Sequence, residues 1–413
     1  MGKKILYKVD LTSPMLDANP HCMQARDSEV RQCLSDLQFD MELHIDGQDV
    51  PEEPYVEMKH LDATVHHWGQ LKLLLGEVDF LTPYLDVPKL CVVYAGASPG
   101  HHLDALVRAM PSTWTWELYD DKPNEVFSPN SRENVIEKQV TDRHVRCVAT
   151  HGGLFNHQQE LSLKRLECKR HLELEPQNSK LKSQLWKLDH TALIFREHKR
   201  NVKTHQEILT LDEARYLREQ YVSGPQTQAD PQLLFISDIR TPRDRITEDV
   251  VELDMRVQKA IARALRPYQS SLKFRLPYSD EYCVQRPYLD GKLLYQPFSP
   301  KVSHECRLHV GHECNKRHYD RMEFNSKMFR FQTVVRTSTY DLEGELPSAD
   351  RHPHLVSKRV GTDHCFDCTA ARTIARHYAR HYGLHELDVL NRWVGGVITT
   401  QRACWADGSI QDD

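Results

Sequence analysis

The chain has 413 residues, 39% of them hydrophobic, and a formal net charge of −5, which suits one large α/β domain with additions, or two domains. That charge argues against attraction of the whole protein to a polyanion but leaves room for a local basic groove. No apolar run approaches the roughly 18 residues of a membrane span, "MGKKILYKVDLTS" lacks a signal-peptide core, and eleven irregularly spaced cysteines fit a reducing compartment, so a soluble, non-secreted protein outside any membrane is expected.

Residues 1–60 read as an irregular N-terminal extension containing the acidic "DGQDVPEEPYVE". The first strong helix is "WGQLKLLLGEVDFL", whose Leu71, Leu74, Leu75, Val78 and Leu81 form a stripe of 3.6-residue period. "LCVVYAGASPGHH" follows, an apolar β-branched run that breaks into small residues and predicts a buried strand. A helix through Leu103, Leu106, Val107 and Met110 comes next, then a strand around Trp116. Strand, glycine turn and helix open a nucleotide-binding α/β unit, in which the glycines let a ligand approach the backbone.

Three ligand classes use such a turn. A P-loop ends in Gly-Lys-Ser/Thr, and this turn ends in Gly100-His101-His102 without a lysine. A dinucleotide fingerprint is G-x-G-x-x-G, and here Gly96 and Gly100 are separated by Ala97, Ser98 and Pro99. A nucleoside ligand without phosphates, such as S-adenosylmethionine, needs only close backbone approach and an acidic residue for the ribose hydroxyls; Asp120 stands about 20 positions on, as that geometry requires. A tight turn serving only helix–strand packing is the alternative.

The next clear strand is "QLLFISDI", ending at Asp238, and 118 positions separate it from Asp120, far more than one βα repeat needs. A helical, basic insertion is therefore expected at about 150–205; from Glu160 to His205 there are eleven Lys/Arg against six Asp/Glu. An amphipathic helix through Val251, Leu253, Val257, Ala260, Ile261 and Leu265 follows, then strands "SLKFRLPY" and "HECRLHV", and a last helix near Thr369–Tyr382. His364-Cys365-x-x-Cys368 resembles half a zinc site near a dense set of His and Cys (Cys306, His309, His312, Cys314, His318), but no second C-x-x-C completes it, so no metal is expected.

Four ionisable residues stand at element ends in this layout: Lys72 on the first helix, Asp238 after a strand, Lys273 in the next strand and Glu305 starting another. Strand ends on the ligand side of an open α/β sheet are where substrate meets cofactor. Methyl transfer from a sulfonium to a ribose 2′-hydroxyl needs in-line geometry and help with one proton. Lys273 is the candidate base or oxyanion stabiliser, with Lys72 depressing its pKa and Asp238 and Glu305 orienting the pair.

With these residues in place, the sequence resembles the poxvirus-type cap-specific mRNA 2′-O-methyltransferases, known also as the small subunit of the viral poly(A) polymerase, and more closely their trypanosomatid members, which modify the hypermethylated cap. The matching stretches are "GQLKLLLGE", "VVYAGASPGHH", "LLFISDIR", "SSLKFRLPYSD" and "LLYQPFSPKVSHECRL", in family order over roughly Gly69 to Arg336. The resemblance implies an α/β, Rossmann-like S-adenosylmethionine-dependent methyltransferase fold with a helical insertion and N- and C-terminal extensions: a domain over 61–345 between the extension 1–60 and a C-terminal helical segment and tail, 346–413. It implies a catalytic tetrad of Lys72, Asp238, Lys273 and Glu305, and a cofactor site on Gln70, Tyr94, Gly96, Ser98, Pro99, Gly100, Asp120 and Arg240. Family members stack the cationic N7-methylguanine between aromatic rings. Tyr278 and Asp280 match one ring and one base-reading carboxylate, Tyr55 is a second ring through a loose alignment, and the second carboxylate falls near Glu323, with Asn325 on the other side of the expected position.

The implied partner is capped RNA (mRNA, spliced-leader-type or small nuclear RNA), methylated at an early transcribed nucleotide such as the second. The resemblance places the protein in the nucleus, or in the cytoplasm on the poxvirus analogy. Two other functions stay open: a 2′-O-methyltransferase of uncapped structured RNA, and an RNA-binding processivity subunit of a polymerase. The basic insertion has no poxvirus counterpart and suits an RNA-binding arm or a helical decoration.

Overall fold

The computed structural model describes residues 69–122, 201–241, 247–278, 287–300, 303–336 and 366–386, with short pieces to 397 and two backbone strand segments, Cys33–Leu34 and Thr339–Tyr340. Tyr55, Asp280, Cys365, residues 150–200 of the expected insertion and the expected boundaries at 60 and 345 lie outside the described residues.

The centre is a seven-stranded sheet. In chain order its strands are β1 (Cys91–Ala95), β2 (Thr115–Tyr119), β3 (Asn201–His205), β4 (Leu233–Ser237), β5 (Gln269–Phe274), β6 (Lys292–Leu294) and β7 (Cys306–Gly311). Their spatial order is β3-β2-β1-β4-β5-β7-β6, parallel from β3 through β5, with β7 antiparallel to both of its neighbours. β1 lies between β2 and β4, so the strand order reverses there and opens a crevice outside the carboxyl ends of β1 and β4.

Helices cover both faces of this sheet, which explains why β1 and β4 are almost wholly apolar, Ser237 at the end of β4 excepted, and buried throughout. The side-chain period of two divides each strand between two cores. Val92, Tyr94, Leu234 and Ile236 join α1 (Gly69–Leu81), α2 (Leu103–Ala109) and the later helix Phe366–Tyr382. Val93, Leu233 and Phe235 join the layer formed by α3 (Leu211–Tyr221), α4 (Glu248–Leu265) and α5 (Arg321–Arg330). Helix α6 (Phe366–Tyr382) donates Tyr378 Oη to the carbonyl of Ala109, 2.6 Å away at the end of α2.

Residues 201–205, expected within a helical insertion, form the edge strand β3 instead, paired with β2 from Thr115↔Asn201 to Tyr119↔His205. Their composition is polar because an edge strand faces solvent, so the pattern lacks the apolar alternation of a core strand. Helix α3 was not anticipated, although Thr210-x-x-Glu213 is a capping signature; Thr210 Oγ1 accepts the Glu213 amide at 3.2 Å.

Candidate active site

The glycine turn follows β1. Gly96 has φ +87°, and a Cβ there would lie 2.6 Å from the Asp238 carbonyl carbon and oxygen. Its freedom is therefore needed for the chain's own backbone: the Asp238 amide donates to the Ala95 carbonyl at 2.8 Å, and the two strand ends lock together at the switch point. Gly100, with φ +74°, completes the turn. At Gly96 the close approach is made by the backbone at the end of β4.

Polar groups from three elements brace this turn. Asp120, just beyond β2, accepts the Ser98 amide on Oδ2 and the Lys122 amide on Oδ1, both at 2.9 Å. Burial raises its pKa, as does the neighbouring Asp121, against those two backbone bonds. Gln70 Oε1 on α1 accepts the His102 amide at 3.2 Å and lies 2.9 Å from the ring Nδ1. Tyr94 donates its hydroxyl to Glu77 Oε1 at 2.6 Å, and His102 Nε2 lies 3.0 Å from Glu77 Oε2. Tyr94 and Gln70 thus sit at the turn with their polar atoms engaged beneath it, and Glu77 and His102 are members of that network that sequence reasoning did not single out.

Beside the turn, the four ionisable residues from four elements come together. Lys72 Nζ donates to Glu305 Oε1 at 2.9 Å, and Lys273 Nζ lies 3.0 Å from Asp238 Oδ1. Two arginines complete the cluster. Arg307 Nη2 reaches the same Asp238 oxygen at 2.6 Å and its Nη1 donates to the Ser237 carbonyl at 2.8 Å. Arg240 donates to Glu305 Oε2. Arg240 was expected in the cofactor set; the structure places it against Glu305, with Asp254 of α4 3.9 Å from its other terminal nitrogen.

Arg307 was missed. Lys273 and Arg307 are directly opposed across the antiparallel β5–β7 pair, and like charges in that position repel. Asp238, between their head groups, reconciles them. A lysine and an arginine on two nearby short strands, with a strand-terminal aspartate upstream, was the available signal.

The electrostatics follow from that packing. Burial opposes ionisation of Asp238, but Lys273, Arg307 and Lys72 outweigh it and hold its pKa at about 2. Burial likewise opposes ionisation of Glu305, and Lys273, Lys72 and Arg240 overcome it, keeping this carboxyl well below the usual range. Lys273 is pushed below the ordinary lysine value by burial; Asp238 and Glu305 work against that shift, and Arg240 and Lys72 add to it. The Lys273 ammonium is 12% exposed, and its burial, with Arg240 and Lys72 nearby, eases loss of its proton.

The residues expected at the cap are partly engaged elsewhere. The Arg275 guanidinium sits over the Tyr278 ring, 4.6 Å from its centroid, and Tyr278 Oη accepts the His304 amide at 3.1 Å. His304 is buried, which depresses its pKa to about 4 with help from Arg275 and against its bond to Asn325. Asn325 Oδ1 lies 2.7 Å from the His304 ring, and its amide donates to the Pro277 carbonyl at 2.9 Å. Asn325 is therefore a brace for the Tyr278–His304 contact. Glu323, in the first turn of α5, pairs with Lys327.

Among the described residues no three His, Cys, Asp or Glu are grouped to hold a metal ion, and no helix is long and apolar enough to cross a membrane.

Residues 177–344 match the family described as Poly A polymerase regulatory subunit. The chain is 25% identical over 306 residues to the cap-specific mRNA (nucleoside-2′-O-)-methyltransferase of fowlpox virus (strain NVSL), covering 70% of this chain and 74% of that protein. It is 23% identical over 281 residues to the protein of the same description from myxoma virus (strain Lausanne), covering 66% of this chain and 58% of that protein. The chain is thus a mixed α/β protein with a mostly parallel sheet, similar over about 70% of its length to a poxvirus cap-specific mRNA 2′-O-methyltransferase.

Proposed function

We propose that the protein is an S-adenosylmethionine-dependent cap-specific mRNA (nucleoside-2′-O-)-methyltransferase, methylating the ribose 2′-hydroxyl of an early transcribed nucleotide, the second, of capped RNA. The observation that carries this reading is the Lys273–Asp238 pair, 3.0 Å apart, beside the Lys72–Glu305 pair at the carboxyl end of the sheet.

The glycine turn suits this cofactor better than a phosphate-bearing one. The carboxylate at its mouth, Asp120, repels phosphate and accepts from ribose hydroxyls, and the turn brings no lysine. Gly96, Ser98, Pro99 and Gly100 would hold the nucleoside, with Gln70, Tyr94 and Asp120 behind them. S-adenosylmethionine bound there supplies an electrophilic methyl on sulfur.

Lys273 in its neutral form would take the proton that the 2′-hydroxyl gives up, and the resulting ammonium would be stabilised by Asp238. Arg307 holds that carboxylate in place. Lys72, through Glu305 and Arg240, keeps a positive field next to the developing oxyanion. Tyr278 and Asp280 are assigned to the cap, with Tyr55 and Glu323 as further contacts. The trypanosomatid hypermethylated cap is the favoured substrate class, and nascent transcripts place the protein in the nucleus. The division into an N-terminal extension, a methyltransferase domain over 61–345 with a basic insertion, and a C-terminal segment belongs to the same reading.

A second reading, an RNA-binding subunit of a polymerase, is favoured by the match of residues 177–344 to poly(A) polymerase regulatory subunits. Labelled S-adenosylmethionine with N7-methylguanosine-capped and uncapped copies of one RNA separates the possibilities. Label in a ribose 2′-O-methyl of capped RNA, lost in Lys273→Ala, supports the proposal. Equal labelling of uncapped RNA transfers it to a structured-RNA substrate, and no labelling of either leaves the polymerase subunit.

A further inference from the structure

Along the carboxyl half of α4 and beside it, four cations from two elements gather. Helix α4 begins at Glu248, beside the site, and runs 18 residues back across the sheet, about 27 Å at 1.5 Å per residue. Lys259 and Arg263 lie on its far half, and Arg266 caps its end. Lys316 comes from the short strand Lys316–Arg317, which pairs with Tyr288–Leu289. Lys259 Nζ lies over the Tyr288 ring, 5.2 Å from its centroid, and Tyr288 is the strand partner of Arg317, next to Lys316; Arg263 and Arg266 follow along and just after α4, and Arg263 and Lys316 reinforce burial in lowering the Lys259 pKa.

Arg263, Arg266 and Lys316 are exposed. None of the four forms an ion pair among the described residues; Lys259 donates to the Pro287 carbonyl at 2.8 Å. Asp290 and Glu313 adjoin this corner and stand outside ion-pair distance of all four.

A helix dipole favours cations near a helix C-terminus and accounts for Arg263 and Arg266, but not for Lys316, which belongs to another element. Arg266 is also in the left-handed region, φ 45°, where glycine is the usual residue; an arginine there accepts backbone strain and adds a guanidinium. Next to it the Tyr268 and His312 rings lie parallel, 6.2 Å apart and 7° off plane, with His312 exposed. Unpaired cations beside an exposed π-face are what a single-stranded nucleic acid uses, phosphate on charge and base on ring.

We infer that Arg263, Arg266 and Lys316, with the Tyr268–His312 stack and Lys259 beside them, form a second RNA-binding surface toward the amino end of β5, the end away from Lys273, holding the body of the RNA downstream of the modified end. The inference rests on the proposed function for RNA as the polyanion and adds a surface which that chemistry does not need. A capped dinucleotide is too short to reach it.

The test is a triple variant, Arg263→Gln, Arg266→Asn and Lys316→Gln. All three positions are exposed, asparagine tolerates the left-handed backbone, and Lys259 keeps its hydrogen bond. Binding of a fluorescein-labelled 20-nucleotide single-stranded RNA is followed by anisotropy at several salt concentrations. The expected result is a Kd raised about tenfold near 0.1 M salt and a log–log salt slope reduced by about 2, at roughly 0.7 for each phosphate that is no longer neutralised. Turnover of a capped dinucleotide stays unchanged. An unchanged Kd and slope overturn the inference, and would leave the patch to an acidic protein or to solvent. Loss of RNA binding in the variant, with no methyl transfer by the wild type, sinks the proposed function while this surface stands.

Discussion

The two ends of the candidate site solve opposite problems with the same polypeptide. At the glycine turn, Gln70, Tyr94, Glu77, His102 and Asp120 direct their polar atoms to one another and to backbone amides, which fixes a shape. Beside it, Lys72, Asp238, Arg240, Lys273, Glu305 and Arg307 set four positive charges against two negative ones, which fixes a potential. The turn is braced by hydrogen bonds, whereas at the charged end burial lowers the pKa of one ammonium. Gly96 and Asp238 join the two, because the backbone of one fills the place where the other would carry a side chain.

That contrast can be broken most sharply at Lys273. Lys273→Ala is expected to lower kcat by about 10³-fold, the usual scale for a positioned general base, and Lys273→Arg to do no better, since a guanidinium does not deprotonate. Single-turnover methylation of capped RNA measures both. A Lys273→Arg variant retaining most activity would make the residue an electrostatic contact and not a base.

Next in size are two changes in stability. Asp238→Asn leaves Lys273 and Arg307 packed together without their shared carboxylate, and about 3 kcal/mol of unfolding free energy is expected to be lost. Gly96→Ala imposes the left-handed penalty of about 1–2 kcal/mol and overlap with the Asp238 backbone, so a loss of about 3 kcal/mol is expected. Denaturant titration reads both. Losses under about 1 kcal/mol would separate the turn from the charged end.

The pH dependence sharpens the electrostatic half. A base acts when deprotonated, so the rate should rise with pH and level off above the Lys273 pKa, with its half-point below the ordinary ~10.4 because that pKa is lowered. Glu305→Gln removes a carboxylate that favours the ammonium, and the half-point should move further down. An upward move would show that losing the partner of Lys72 and Arg240 rearranges the cluster.

Smaller effects are expected at the turn. Asp120→Asn should raise KM for S-adenosylmethionine about tenfold with kcat nearly unchanged, because it alters binding and not proton transfer. Glu323→Ala is the smallest, about 1 kcal/mol in stability, because the half-exposed Glu323 is the partner of the buried Lys327; a selective loss of preference for capped RNA would instead make it a cap contact.

Much of this was legible in residue order. The apolar runs of β1 and β4, the stripe on α1 and the break at Gly96-Ala97-Ser98-Pro99-Gly100 dictate buried strands, a covering helix and a tight turn, because burial periodicity and backbone freedom are local properties. Lys72, Asp238, Lys273 and Glu305 were visible for the same reason: each stands at an element end that local pattern defines. What only the tertiary structure decided was which charges meet. Arg307 opposite Lys273, Arg240 turned onto Glu305, Tyr278 covered by Arg275 and the corner shared by Arg266 and Lys316 all depend on register and packing between segments distant in sequence. Electrostatic interaction falls off with distance in space, and one-dimensional order carries no such distance.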